Sequence, residues 1–321
     1  MQTARTPVGE TTPDRSAPPT SAARGRRIHL IINARSGLAR HEPLGDRARS
    51  YFLARGIQAQ VDVVHSAEQL KAAVGRSASN SSDIVVAAGG DGTISAVATA
   101  VVDAGKVLGV LPLGTFNYFA HHIGVPLEPE RALSVIAGGR VRSVSVGEVN
   151  GHIFLNNSSI GLYPEVLRRR ETTYRRIGRS QMAAYLSAAL ALARQPTHLT
   201  LELAIDGTSL SRTSPLLFVG TNAHQLDTFG MNGIGCVDAG LLAMYITQPL
   251  AARRLWTLAL SGLIRGFGDR PDLETLCGAE AVVTTRRKRI RVAVDGEIVR
   301  LHSPLRYRSR PGALRVMVPT I

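Results

Sequence analysis

Asp83-Ile-Val-Val-Ala-Ala-Gly-Gly-Asp-Gly-Thr-Ile-Ser95 is the stretch from which the rest of the chain is read. Ile84 to Ala88 is an apolar run rich in β-branched residues, which suits a buried strand. It stops at Gly89-Gly-Asp-Gly-Thr93, and Ile94 to Val102 continues with small and apolar residues that suit a buried helix. The expectation is strand, glycine turn, helix. Glycines there let the backbone take positive φ and approach a ligand closely, while the first N–H groups of the helix present partial positive charge. That describes a phosphate cradle. The plainer alternative is a tight connection with no ligand, since Gly-Asp-Gly also occurs in hairpin turns.

Two further segments have the same shape. Val107 to Leu111 reads as a short buried strand and runs into Pro112-Leu-Gly-Thr-Phe-Asn-Tyr-Phe-Ala120; upstream, Ile28 to Ile32 leads into Asn33-Ala-Arg-Ser-Gly37. Adjacent parallel strands that deliver such turns to one sheet edge form a ligand crevice, as in nucleotide-binding α/β sheets.

Around these units, strands and helices alternate from Arg26 to about Arg142: a helix near Leu44–Arg55, a strand at Gln58–Val64, a helix near Ala67–Gly75 and a helix at Glu130–Ala137. Such alternation argues for an α/β nucleotide-binding domain with a parallel sheet over 26–142. After Val141 the texture changes to short β-branched or alternating runs: Ser143–Val149, His152–Asn157, Leu199–Ile205, Leu216–Gly220, Leu241–Thr247, Ala281–Thr285, Ile290–Val294 and Leu314–Val318. These predict a mostly antiparallel β-sandwich domain over 143–321. Residues 1–25, rich in Thr, Pro, Ala and Arg, read as a disordered tail.

Asn33-Ala-Arg-Ser-Gly37, Gly89-Gly-Asp-Gly-Thr93, Leu113-Gly-Thr-Phe-Asn117 and Val294-Asp-Gly-Glu297 occur in the order and approximate spacing of the diacylglycerol-kinase-like lipid kinases. The chain resembles that family, the bacterial relatives of sphingosine and ceramide kinases, over nearly its whole length after Arg26. Gly-Gly-Asp-Gly-Thr alone is shared with NAD kinases; the four motifs together point to the lipid-kinase branch. The resemblance implies an ATP- and Mg²⁺-dependent phosphotransferase acting on a lipid alcohol such as diacylglycerol. It places Asn33, Ser36, Gly37, Gly89, Gly90, Asp91, Gly92, Thr93, Gly114, Thr115 and Asn117 around ATP, with Asp91 either ordering the loop or binding Mg²⁺ directly or through water. It also puts the proton acceptor in the Asp295-Gly296-Glu297 turn, without deciding between Asp295 and Glu297. On residues alone, Asp295-Gly296 is an ordinary hairpin turn, as Asp206-Gly207 is expected to be. No lysine of the P-loop kind follows the first glycine loop.

Two departures from the family's pattern stand out. Related enzymes carry an acidic residue before the glycine of a segment ending Asp-Gly-Leu-Leu; here the segment is Cys236-Val-Asp-Ala-Gly-Leu-Leu242, with Ala239 in the acidic position and Asp238 one residue early. Asp238 is therefore the remaining candidate for that metal site, on a backbone position that faces the other way in a strand. Tyr118 stands where Asp is frequent after the Asn of the Gly-Thr-x-Asn motif.

The composition bounds the alternatives. With 321 residues and 44% hydrophobic content the chain builds globular cores, and its net charge of +14 comes almost wholly from arginine, since Lys71, Lys106 and Lys288 are its only lysines. Arginine's planar fork suits phosphate groups or an anionic membrane surface. Few aromatics are interleaved with the arginines, which argues against a nucleic-acid partner. Apolar helical stretches at Gln181–Arg194 and Arg253–Gly266, beside Arg168, Arg169, Arg170, Arg175, Arg176 and Arg179, are too short to span a bilayer and read either as packing helices or as an interfacial rim. The sequence leaves room for a homodimer. Cys236 and Cys277 lie far apart without a CxxC pattern, so neither a disulfide nor zinc is expected, and the setting reads as reducing and cytoplasmic, peripheral at the inner membrane face. His121 and His122 show no metal-ligand spacing. The competing functions are an NAD-kinase-like phosphotransferase and a non-catalytic nucleotide- or lipid-binding regulator.

Overall fold

A computed structural model describes residues 25–36, 43–162, 164, 198–248 and 273–320. The predicted tail before Gly25, Gly37, both apolar helical stretches and the arginines from Arg168 to Arg179 lie outside these residues.

The first half alternates as its sequence does: β1 (Arg27–Asn33), α1 (Pro43–Leu53), β2 (Gln58–Val64), α2 (Ala67–Ser79), β3 (Ile84–Gly89), α3 (Asp91–Ala104), β4 (Val107–Pro112), α4 (Tyr118–Ile123) and α5 (Pro129–Gly138). β3 and β4 are buried at every position, as strands covered on both faces must be. α2 starts where the Ser66 hydroxyl accepts the Gln69 N–H, and α3 stops at Gly105, whose positive φ of 63° suits glycine. β2, β1, β3 and β4 pair in parallel.

The second half is mostly strand: β5 (Arg140–Val149), β6 (His152–Phe154), β7 (Asn157–Gly161), β8 (Leu199–Ile205), β9 (Thr208–Ser214), β10 (Leu216–Gly220), β11 (Leu242–Thr247), β12 (Leu273–Gly278), β13 (Glu280–Thr285), β14 (Arg289–Val294), β15 (Glu297–His302) and β16 (Leu305–Val318). Two short helices, α6 (Ala223–Thr228) and α7 (Ile234–Asp238), lie between β10 and β11. The first sheet has ten strands and continues from the parallel part through β16 into the antiparallel run β13-β8-β9; the second has six in the order β12-β11-β10-β7-β14-β15, all antiparallel. The architecture is thus a parallel α/β half joined to an antiparallel sandwich, as expected.

Two main cores follow. One packs β1, β3 and β4 against the helices through residues such as Phe52, Ile94 and Leu133. The other lies between the sheets, with Leu203, Val283 and Tyr307 facing Val219, Met244 and Val292. β16 enters both: Leu305 and Tyr307 belong to the sandwich, Leu314, Val316 and Val318 to the α/β core. Its pairing with β5 shifts register between Arg310 and Leu314, a bulge that lets one strand serve both cores.

Three features differ from the sequence reading. His152–Asn157 is not one strand: it breaks at Leu155-Asn156, because the N–H groups of Leu155, Asn156 and Asn157 are spent on the Asp295 carboxylate rather than on a ladder. The polar strand β9, the strand β12 and the hairpin partner β15 are additional. Finally, the expectation that the cysteines stay apart is overturned. Cys236 and Cys277 form a disulfide, with Cα atoms 5.8 Å apart. α7 packs on β11 and β12 pairs with β11, so a separation of 41 residues collapses in space.

Candidate active site

β1, β3 and β4 end at one edge, and their three turns meet there. Gly90 caps α3, and a side chain at Gly114 would place its Cβ 2.6 Å from the Gly90 Cα, so the two glycine loops touch backbone to backbone. A Cβ at Gly89 would likewise lie 2.6 Å from the Thr93 side chain. The Asn33 amide donates to Thr93 Oγ1 at 2.8 Å, and the Gly90 N–H donates to Ser36 Oγ at 3.3 Å, which ties the first turn to the second. Asn117, held at a φ of 52°, closes the third turn by exchanging two hydrogen bonds with the backbone of Gly114. Thr115 and Gly92 remain exposed on this rim. The rim therefore presents helix and loop backbone at positions without bulky side chains, which suits the phosphates of a nucleotide.

Asp91 opens α3 and accepts the Phe119 N–H at 3.2 Å, fixing the start of α4 against the glycine loop. Burial pushes its carboxyl above the ordinary value, partly offset by the Phe119 N–H, and the negative charge of Asp295 raises it further. Asp295 thus comes to the nucleotide edge from the far end of the chain. It sits at φ 45° with Gly296 at 88°, the turn between β14 and β15. Oδ1 accepts the N–H groups of Asn156 and Asn157 at 2.8 and 3.0 Å; Oδ2 accepts the Leu155 N–H and the Ser95 hydroxyl, each at 2.7 Å. Burial raises this carboxyl too, against the lowering by those four donors. Glu297, the next acid of the turn, is exposed at the start of β15.

Residues 27–149, which hold all three turns, match the family described as the diacylglycerol kinase catalytic domain. That stretch is similar to a diacylglycerol kinase catalytic domain. The resemblance drawn from the four motifs holds.

Relatives of that domain match over more of the chain. A "Probable lipid kinase YegS-like" protein of Pseudomonas fluorescens is 28% identical over 92% of this chain and 96% of its own length. A protein named diacylglycerol kinase from Bacillus subtilis is 29% identical over 64% of this chain and 67% of its own. A crystal structure of a diacylglycerol kinase from Bacillus anthracis superposes with a TM-score of 0.65 at 18% identity, covering 91% of this chain and 97% of that one, which shows a shared fold.

This edge gathers Asn33, Ser36, Gly89, Gly90, Asp91, Gly92, Thr93, Gly114, Thr115 and Asn117, and Asp295 meets them through Ser95. Asp238 does not join them: it is exposed on α7 and acts electrostatically on His122, not on Asp91. Among the described residues no three His, Cys, Asp or Glu side chains converge to hold a metal ion. Mg²⁺ needs no such cage, since it commonly keeps its waters and binds one or two carboxylates plus substrate phosphates. His121 stacks on His224 at 4.5 Å and joins α4 to α6.

Behind Asp295 lies a set of residues that sequence reasoning passed over. The Asn222 amide donates to Asn156 Oδ1 at 2.6 Å, and the Asn157 amide to Gln225 Oε1 at 2.9 Å, all with side chains inside the protein. The available signal was Asn156-Asn-Ser-Ser159, four polar residues between Leu155 and Ile160 that begin inside the expected strand His152–Asn157.

Proposed function

We propose that this protein transfers the γ-phosphoryl group of ATP to the hydroxyl of a lipid alcohol. The observation that carries the reading is the meeting of three glycine-bearing turns with two acids, Asp91 and Asp295, at one sheet edge. Phosphoryl transfer asks for in-line positioning, neutralisation of spreading charge and a proton acceptor. The N–H groups of Gly92 and Thr115, on the exposed rim, would hold the phosphates, braced by Asn33 and Ser36. Mg²⁺, carried on the phosphates beside Asp91, would neutralise their charge.

Of the acids expected to take the proton, Asp295 has both oxygens committed to two donors each, which assigns it to positioning the β14–β15 turn against α3. Asp91, which opens α3 at the cradle, is then the acid proposed to take the proton; Glu297 lies exposed at the rim. Contact with the anionic inner face of a membrane belongs to the same proposal. None of the described helices is long and apolar enough to cross one.

The test is transfer of labelled γ-phosphate from Mg-ATP to lipid alcohols in mixed micelles, with NAD in parallel. A labelled lipid is the expected result. Label in NADP would move the protein to the soluble branch, and ATP binding without transfer to any acceptor would favour the regulator.

A further inference from the structure

Among the described residues four buried side-chain atoms have no hydrogen-bond partner, and two of them, Asn157 Oδ1 and Ser159 Oγ, are on β7. They are two residues apart, so both side chains leave the same face of the strand. The register identifies that face. Ser158 and Ile160 point the other way, into the sandwich, where Ser158 meets Tyr307. Asn157 and Ser159 point towards α6, whose Gln225 takes one end of the Asn157 amide. Beside them Ala293 pairs with Ser159 and Gly220 with Asn157, and Phe218 lies across from Ser159 on β10. Ser159 is 0% exposed and Asn157 4%.

An unpaired buried polar group is costly, and two on one strand face call for a partner outside the polypeptide. Their position says what that partner does. The Asn157 N–H donates to Asp295 at 3.0 Å, and the same carboxylate accepts the Ser95 hydroxyl of α3 at 2.7 Å, so this stretch of β7 adjoins the helix of the first glycine loop. A hydroxyl both donates and accepts, so it pairs with Ser159 and with the free end of the amide in either orientation.

We propose that Asn157 and Ser159 recognise hydroxyl groups of the acceptor that are not phosphorylated. The acceptor is then a lipid polyol, with a free hydroxyl beyond the reacting one, rather than a lipid with a single hydroxyl. This rests on the lipid-kinase reading and narrows it.

The probes are a 1-monoacylglycerol, with two free hydroxyls, and a diacylglycerol of the same chain, with one. The wild-type protein is expected to favour the monoacylglycerol in kcat/KM by at least about tenfold, because a site built to bond a hydroxyl rejects the analogue lacking it. Ser159→Ala removes an unpaired hydroxyl, so its Tm without lipid should equal or exceed the wild-type value while the preference collapses towards one. Asn157→Ser should lose the same preference. Without nucleotide, monoacylglycerol micelles should raise the Tm of the wild type more than that of Ser159→Ala. A lower lipid-free Tm for Ser159→Ala, or equal use of both lipids by the wild type, would overturn the proposal. If no lipid is phosphorylated but the Ser159-dependent Tm rise persists, the site stands and the kinase reading falls. If both lipids are phosphorylated without preference, the kinase reading stands and this one falls.

Discussion

The Ser95 hydroxyl donates to Asp295 Oδ2 at 2.7 Å across 200 residues of chain, joining the helix of the first glycine loop to the last hairpin of the sandwich. Asp206, the other Asp-Gly hairpin turn, also spends its carboxylate on backbone N–H groups, those of Ala279 and Glu280. What sets Asp295 apart is the bond to α3 and the proximity to Asp91.

Asp295→Ala leaves three backbone N–H groups without their acceptor. The expected loss is on the order of 3–5 kcal/mol in denaturant titration, by analogy with breaking a buried charged partnership. Ser95→Ala removes one charge-assisted bond, for about 1.5–3 kcal/mol. If Ser95 only fills a helix position, its variant will unfold at the wild-type midpoint.

Asp91 must be ionised to take a proton, so kcat/KM should rise with pH through a value above the ordinary 3.8. Burial is the main cause and Asp295 adds to it, so Asp295→Asn should move the acidic limb downwards whatever it does to the maximum. For stability the sign is opposite: the folded protein keeps this proton to higher pH than the unfolded chain, so Asp91's contribution is best at low pH and declines as pH rises through the raised value. Asp91→Ala should leave no measurable turnover. An acidic limb unmoved by Asp295→Asn would separate the two carboxyls.

Gly114→Ala drives a methyl group into the Gly90 backbone, which cannot swing aside as a side chain would. Overpacking of this kind costs about 1–3 kcal/mol. Calorimetric titration should show Mg-ATP affinity falling by roughly tenfold or more, the equivalent of 1.4 kcal/mol at the cradle.

The Cys236–Cys277 bridge closes a loop of 41 residues and should contribute about 4 kcal/mol when oxidised. Cys236→Ser should lower the denaturation midpoint of oxidised protein and leave reduced protein almost unchanged. Peptide mapping without reductant reads the bond directly. The bond also bears on the expected reducing setting, since disulfides persist mainly in oxidising compartments.

The parallel half was legible because buried strands and glycine turns are local signals; β2 runs over Gln58–Val64 as read, and so do β8 and β10. The cradle was legible for the same reason. Ser95 was not, because a serine in a helix of small residues carries no mark of a partner 200 positions away. Asn156 and Asn157 were folded into a strand by their apolar neighbours, and only the distant carboxylate explains the break. β15 and β9 expose much of their length, so hydrophobic alternation is weak there. The cysteine pair depended on strand order, which spacing does not encode.

The crossing of β5 and β16 has a mechanical consequence. Because β16 belongs to both cores and runs beside β5 from one to the other, the two halves are joined by a twisted two-stranded ribbon rather than by a single flexible link. Any movement of one half against the other has to bend that ribbon. Its softest point is the bulge at residues 311–313, where Gly312 stands at a φ of 64° and the ladder is interrupted. The freedom of the halves to move is then governed by the stiffness of a few hydrogen bonds on either side of that bulge.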